Sequence, residues 1–341
     1  MSTDPEVAPA MKNVRRRGKP GWGTLARGVI VLVVAAALLV SVKRSIDHWN
    51  AQPPEARLRW DEIDYRWLLV SAALYAAALL PATMVLSRAL AALGTTHSLR
   101  HVVAAQLLGH LGKYVPGKAM VILIRAAVLN RGGTNVSLRA ATIAIMIETL
   151  TMISTGAMLA LTVLLFRDVP LWMKQISAFM AVAAGVSTSP PLLNLVMARR
   201  FVGGMLPFVW THRDMAAAWL WNALGWFLLG ASLAAIITAL PQQTLQPLTP
   251  PLTLYLMCLA SIALAYVAGF LSLLPGGAGV REVVLTTMLA SVAGPSGALV
   301  AAILVRMIHL GVEIVLSGLA WPLVSRVVAD HAKLDDPVSS G

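Results

Sequence analysis

"GKYVPGKAMVILIR" runs from Gly112 to Arg125, inside a chain that is otherwise apolar. It places a Pro-Gly pair, two lysines and an arginine where a membrane helix should simply continue. The helical candidates on either side are His101–Tyr114 and Lys118–Asn130. Each reaches only ~20 Å at ~1.5 Å per residue, short of a ~30 Å hydrocarbon layer. Arg100 stands at one end of the pair and Arg131 at the other, so both ends belong at one face. The sequence therefore predicts a re-entrant hairpin that turns at Val115-Pro116-Gly117 near mid-membrane. Two tilted, kinked helices that cross completely are the alternative. Non-helical backbone at that depth must be buried in protein or line a wet cavity. A second stretch, "GFLSLLPGGAGVRE" (Gly269–Glu282), repeats the pattern near the other end.

Composition sets the frame around these stretches. The 341 residues are 58% hydrophobic and only 12% charged, too few charges to coat a soluble globule, which needs about 25%. An all-α, polytopic membrane bundle follows. The net charge of +12 would suggest nucleic acid in a soluble protein. Here the basic residues fall between apolar runs, where the positive-inside rule explains them, so no nucleic acid is expected and anionic lipid is the expected partner. Cys258 is the only cysteine, and the seven histidines show no metal-ligand spacing. No disulfide within the chain, no metal and no cofactor are expected.

The apolar runs predict about six full spans: Leu25–Val42, Trp67–Leu86, Leu138–Phe166, Trp172–Ser189, Met215–Leu240 and Leu299–Val324. Pro81 should kink the second. Lys12, Arg15, Arg16, Arg17 and Lys19 precede the first span, and no small-residue cleavage site follows it, so it reads as an uncleaved anchor. This divides the chain into a basic tail (1–23), a membrane domain (24–325) and a C-terminal tail (326–341). From Arg66 to Arg139 there are eight Lys or Arg and no acid before Glu148. That region and both tails are expected at the cytoplasmic face of a bacterial inner membrane. Pro190-Pro191 should open an inner loop, and "GPSG" (Gly294–Gly297) should be a turn. Three spans separate the first interrupted pair from the second, Leu252–Leu274 with Gly277–Val292. The second pair is thereby inverted, although Leu252–Leu274 is long enough to cross alone. Inverted, interrupted helices are the sequence mark of a transport-type site.

Pro-Gly explains the chemistry expected at the interruptions. Proline starts a helix at no hydrogen-bonding cost, and glycine permits the sharp turn before it. A helix start carries roughly half a positive charge and free amides, and so attracts anions. Lys118 lies in the first turn of one such helix and Arg281 in that of the other, while Arg125 lies two turns past Lys118 on the same face. Gly117, Gly276 and Gly277 supply the backbone. The set suits a phosphate. Gln106, His110 and Lys113 share a face, as do Arg306, His309 and Glu313. Glu148 is costly near mid-span, and a pairing with Arg306 or Arg125 would neutralise it. Static ion pairs that pin helices would explain the same charges without a substrate. The two histidines read as packing residues, and the tryptophans as an interfacial belt.

With those residues in place, the sequence resembles the lysylphosphatidylglycerol synthase transmembrane-region family. The matching stretches are "LGKYVPGKAMVILIRAAVLNRGG" (Leu111–Gly133), "ATIAIMIETL" with Glu148, "GFLSLLPGGAGVREVVL" (Gly269–Leu285) and "ILVRMIHLGVEI" with Arg306. The resemblance covers roughly Trp67 to Val324. Many members carry a glutamate between the first Pro-Gly and the next arginine; this chain has only apolar residues there. The resemblance implies a membrane domain that moves or presents aminoacylated phosphatidylglycerol or another polar lipid. In the named synthases a separate soluble domain performs aminoacyl transfer, and no lysyl transfer is expected of this chain.

Three functions remain open on sequence. The first is a flippase or transporter for an anionic or aminoacylated phospholipid, its head group held by Lys118, Arg125, Arg281 and the amides near Gly117 and Gly277, with Glu148 and Arg306 beside them. The second is a non-catalytic partner of a separate lipid-modifying enzyme or glycosyltransferase. The third is an intramembrane enzyme using Glu148 or His110 as base. The third lacks a nucleophile elbow, metal motif or spaced acid pair, so no catalytic residue is expected. The oligomeric state stays open, a homodimer included.

Overall fold

The computed structural model describes residues 60–114, 119–130, 136–166, 171–197, 208–241, 250–272, 277 and 279–334. The anchor expected at Leu25–Val42 lies outside them, as do Gly117, Lys118 and Gly276. Among the described residues every regular element is helical.

We number the α-helices α1 (Tyr65–Ala78), α2 (Leu80–Ala92), α3 (Leu99–Gly109), α4 (Ala119–Asn130), α5 (Leu138–Leu165), α6 (Leu171–Ser187), α7 (Pro190–Val196), α8 (His212–Ala239), α9 (Pro251–Leu271) and α10 (Val280–Leu334). α1 and α2 together form one span over Tyr65–Ala92, with Pro81 at the start of α2. α5 and α8 have 28 residues each and α9 has 21, all long and apolar enough to cross a membrane. Leu69, Phe166, Phe179, Leu220 and Leu319 point outward, while Arg125, Glu148 and Glu313 are buried. A surface this apolar around charged interior residues is that of a protein whose solvent is lipid. The chain is a multi-pass membrane protein.

The expectations for Pro190-Pro191 and for one tryptophan change. Pro190-Pro191 does not open a loop; it starts α7, bent by 59° from α6. Proline suits a helix start because the missing amide would have had no partner there. Trp226 is not a belt residue. It is buried, its indole N–H donates to the Met152 carbonyl at 3.1 Å, and its ring lies against Gly156.

The first interrupted pair folds back on itself. Gly109 faces Arg125 and Gly112 faces the backbone of Val121, a register that only antiparallel limbs produce. α4, with 12 residues, reaches only ~18 Å. After α3 the chain tightens into a 3-10 turn, His110–Tyr114, before the reversal.

α10 also reverses, at Gly294, whose φ is +64° and ψ 168°. Arg306 on one side of it bonds Glu282 on the other, 24 residues away. Those two would stand ~36 Å apart on a straight helix. Residues 280–293 and 295–334 are therefore two antiparallel limbs, and the turn expected at Gly294–Gly297 is present. The first limb has ~20 Å of reach. It starts at Val280, three residues later than the sequence suggested, because Gly277 (φ +67°) and Gly279 (φ +84°) hold left-handed backbone before it.

The bundle closes around α8. The Asp64 amide donates to the Ala239 carbonyl at 3.0 Å, and the Ser71 and Ser232 hydroxyls meet at 2.8 Å. α1 and α8 thus run antiparallel. Asn222 bonds Thr151 at 3.1 Å while Trp226 reaches Met152, so α5 and α8 run parallel. Ser154 donates to the Ala184 carbonyl at 2.9 Å and Lys174 reaches the Leu165 carbonyl, making α5 and α6 antiparallel.

Candidate functional site

Each interrupted pair presents an arginine laid across a glycine of the preceding helix. In the first, a Cβ on Gly109 would come within 2.5 Å of both Arg125 Cγ and Nε. In the second, a Cβ on Gly269 would come within 2.7 Å of Arg281 Cγ and 2.8 Å of its Nε. Gly277 closes over the same arginine, its missing Cβ 2.8 Å from Arg281 Nε and 2.9 Å from Gly269 Cα. Only glycine leaves room for the guanidinium stem at these points.

The arginines differ in their partners. Arg125 Nη1 donates to Glu148 Oε2 at 2.6 Å, and both residues are at most 5% exposed. Gln106 Nε2 approaches Glu148 Oε1 at 3.4 Å. The pairing left open for Glu148 falls to Arg125. Arg306 instead bonds Glu282, whose other oxygen accepts the Gly279 amide at 2.7 Å. One amide at the start of the short limb is therefore already capped by a carboxylate.

Arg281 stands apart. Its Cζ lies 3.9 Å above the centre of the Tyr266 ring, a cation–π contact. Among the described residues it forms no ion pair, and its buried Nε has no hydrogen-bond partner. Arg125 Nε is likewise buried without one. Buried N–H groups of this kind are rare and call for a ligand or a structural reason.

Behind Tyr266 runs a polar cluster. The Tyr266 hydroxyl is 2.8 Å from His309 Nδ1, and His309 Nε2 is 3.3 Å from Ser232 Oγ. The His309 ring stacks on Tyr75 at 3.6 Å with planes 6° apart. The Tyr75 hydroxyl donates to Glu313. One turn further on, Ser317 donates to the Leu107 carbonyl at 2.9 Å. Residues 306, 309, 313 and 317 thus form one stripe, linking the second interrupted pair to the first.

The stripe was legible at its spacing, but its partners were not. Tyr75, Ser232 and Tyr266 carry no motif and come from three other helices. Gly109 and Gly269 were also missed. A glycine in a membrane helix signals close approach only in general, never to which side chain. Gly117, Gly276 and Lys118 lie outside the described residues, as do the side chains of Lys113 and Tyr114. His110 sits half-buried in the 3-10 turn.

A helical membrane bundle with two folded-back helix pairs, each holding an interior arginine, is a membrane domain built around charge at depth. The chain belongs to the family described as the lysylphosphatidylglycerol synthase TM region, which it matches over residues 21–317. No curated protein matches it.

Proposed function

We propose that the protein binds the head group of an anionic or aminoacylated phospholipid between its two interrupted helix pairs and translocates that lipid across the membrane. One observation carries this: Arg281, an interior guanidinium without an ion pair among the described residues, presented at the start of a short helix. A phosphodiester offers two oxygens to such a fork and supplies the missing negative charge. Gly277 and Gly276 would let the backbone approach the same oxygens. Lys118, the Gly117 amide and Arg125 would serve from the other pair, with Glu148 and Arg306 fixing the surrounding charges. Rocking of one pair against the other would open the site to alternate leaflets. The basic region before Glu148 would lie at the cytoplasmic side.

Reconstitution into vesicles tests the proposal. Labelled phosphatidylglycerol should leave one leaflet at least tenfold faster with the protein than without it. Arg281→Ala should abolish that gain, and neutral phosphatidylcholine should be moved poorly. Equal rates for both lipids would count against a phosphate site. No movement, together with a stably co-purifying lipid-modifying enzyme, would favour a non-catalytic partner instead.

A further inference from the structure

The arginines of the interrupted pairs and of the last limb are held in two different ways. Arg125 and Arg306 each point Nη1 at a carboxylate, that of Glu148 at 2.6 Å and that of Glu282. A carboxylate neutralises a guanidinium and also occupies its donors. Arg281 is held by a ring instead, its Cζ 3.9 Å from the centre of Tyr266. A π face attracts the cation from above and leaves the N–H groups, which lie in the guanidinium plane, unused. Among the described residues the Arg281 side chain donates no hydrogen bond and forms no ion pair.

The register of α9 produces this arrangement. Gly269 follows Tyr266 by three residues, so both lie on one face of the helix. The arginine stem crosses Gly269, where a Cβ would come within 2.7 Å of Cγ, and its head arrives over the ring one turn earlier. The ring itself is fixed at its edges. Its hydroxyl lies 2.8 Å from His309 Nδ1, and Trp226 meets it edge-on at 6.0 Å and 84°. Trp226 is buried and bonded to the Met152 carbonyl. The ring cannot swing away from the arginine without breaking contacts to α8 and to the last limb of α10.

We propose that Tyr266 is the positioning residue for head-group recognition: its ring face fixes Arg281 in the free protein and leaves the terminal nitrogens to the oxygens of a phosphodiester. This rests on the lipid-binding function proposed above and names the residue that aims its guanidinium. A carboxylate in the place of the ring would compete with phosphate for the same fork. An aliphatic side chain there would leave the guanidinium free to turn, and ordering it on binding would weaken affinity.

Calorimetry on the full chain in neutral detergent tests this. The probes are dihexanoyl-phosphatidylglycerol and dihexanoylglycerol, which has the same chains and no phosphate. The wild-type protein should prefer the phospholipid. Tyr266→Phe keeps the ring and should bind it within about threefold of wild type, whereas Tyr266→Leu and Tyr266→Met should weaken it about tenfold or more. Affinity for dihexanoylglycerol should stay unchanged in all three, with unfolding temperatures showing which variants are folded. Unchanged phospholipid affinity in the ring-free variants would overturn the assignment and leave the lipid site standing. Equal losses for both probes, or loss of the fold in both ring-free variants, would assign the ring a structural role and overturn it as well. A Tyr266→Phe protein as weak as Tyr266→Leu would shift the role from the ring face to the hydroxyl. A wild-type protein without preference for the phospholipid would overturn the lipid-binding function, and this proposal with it.

Discussion

Gly109 and Gly269 are small residues with large consequences, because each leaves the space that an arginine stem fills. A Cβ at Gly109 would meet Arg125 at 2.5 Å, closer than real contacts allow. Gly109→Ala should displace Arg125 from Glu148 and cost about 1–3 kcal/mol, read as a lowered unfolding temperature in detergent. Arg125→Ala should cost more, about 3–5 kcal/mol, because Glu148 is then left buried and alone. The double variant Arg125→Ala/Glu148→Ala should be more stable than the sum of the single losses predicts. Additive losses would mean the pair has no coupling. At this scale the sequence was informative about charge and silent about company. The isolation of Glu148 in an apolar run announced a buried partner, and the choice among arginines needed three dimensions. Arg281 and Gly277 could be named from one motif. Tyr266, supplied from fifteen residues upstream, could not, since tyrosine in a membrane helix fits too many roles.

At the level of elements, length and interruption carried most of the fold. Limbs too short to cross, bounded by Pro-Gly, gave the first hairpin, and the register of Gly112 with Val121 agrees with it. The second pair is less regular, because α9 has the length of a full span. Pro190-Pro191 was misread because proline marks both loops and helix starts, and the flanking sequence does not separate them. The reversal of α10 can be checked directly. Spin labels at Val283 and Met307, both exposed, sit on opposite limbs. An unbroken helix would hold them ~36 Å apart, whereas the folded-back limbs should bring them well under 30 Å by pulsed electron resonance. A distance near the longer value would remove the Glu282–Arg306 pair and the hairpin with it.

Across the whole molecule the two charged pairs are arranged with opposite sign. In the first, the short limb supplies the arginine and the following long span the glutamate; in the second, the short limb supplies the glutamate and the long span the arginine. Both fasten a short limb to the helix that follows it, and neither fastens it to the helix before. If the protein moves lipid, α4 should travel with α5, and residues 280–293 with the last limb. Label distances within each fastened set should stay constant when lipid is added, while those from α4 to α1 should change. Changes inside a fastened set, with none between sets, would contradict that division. The same spacing has a consequence for biogenesis. Arg125 waits 23 residues for Glu148 to emerge from the ribosome, and Glu282 waits 24 for Arg306. Neither early charge can enter lipid cheaply by itself. The translocon must therefore hold each short limb until its successor arrives, and release the two together.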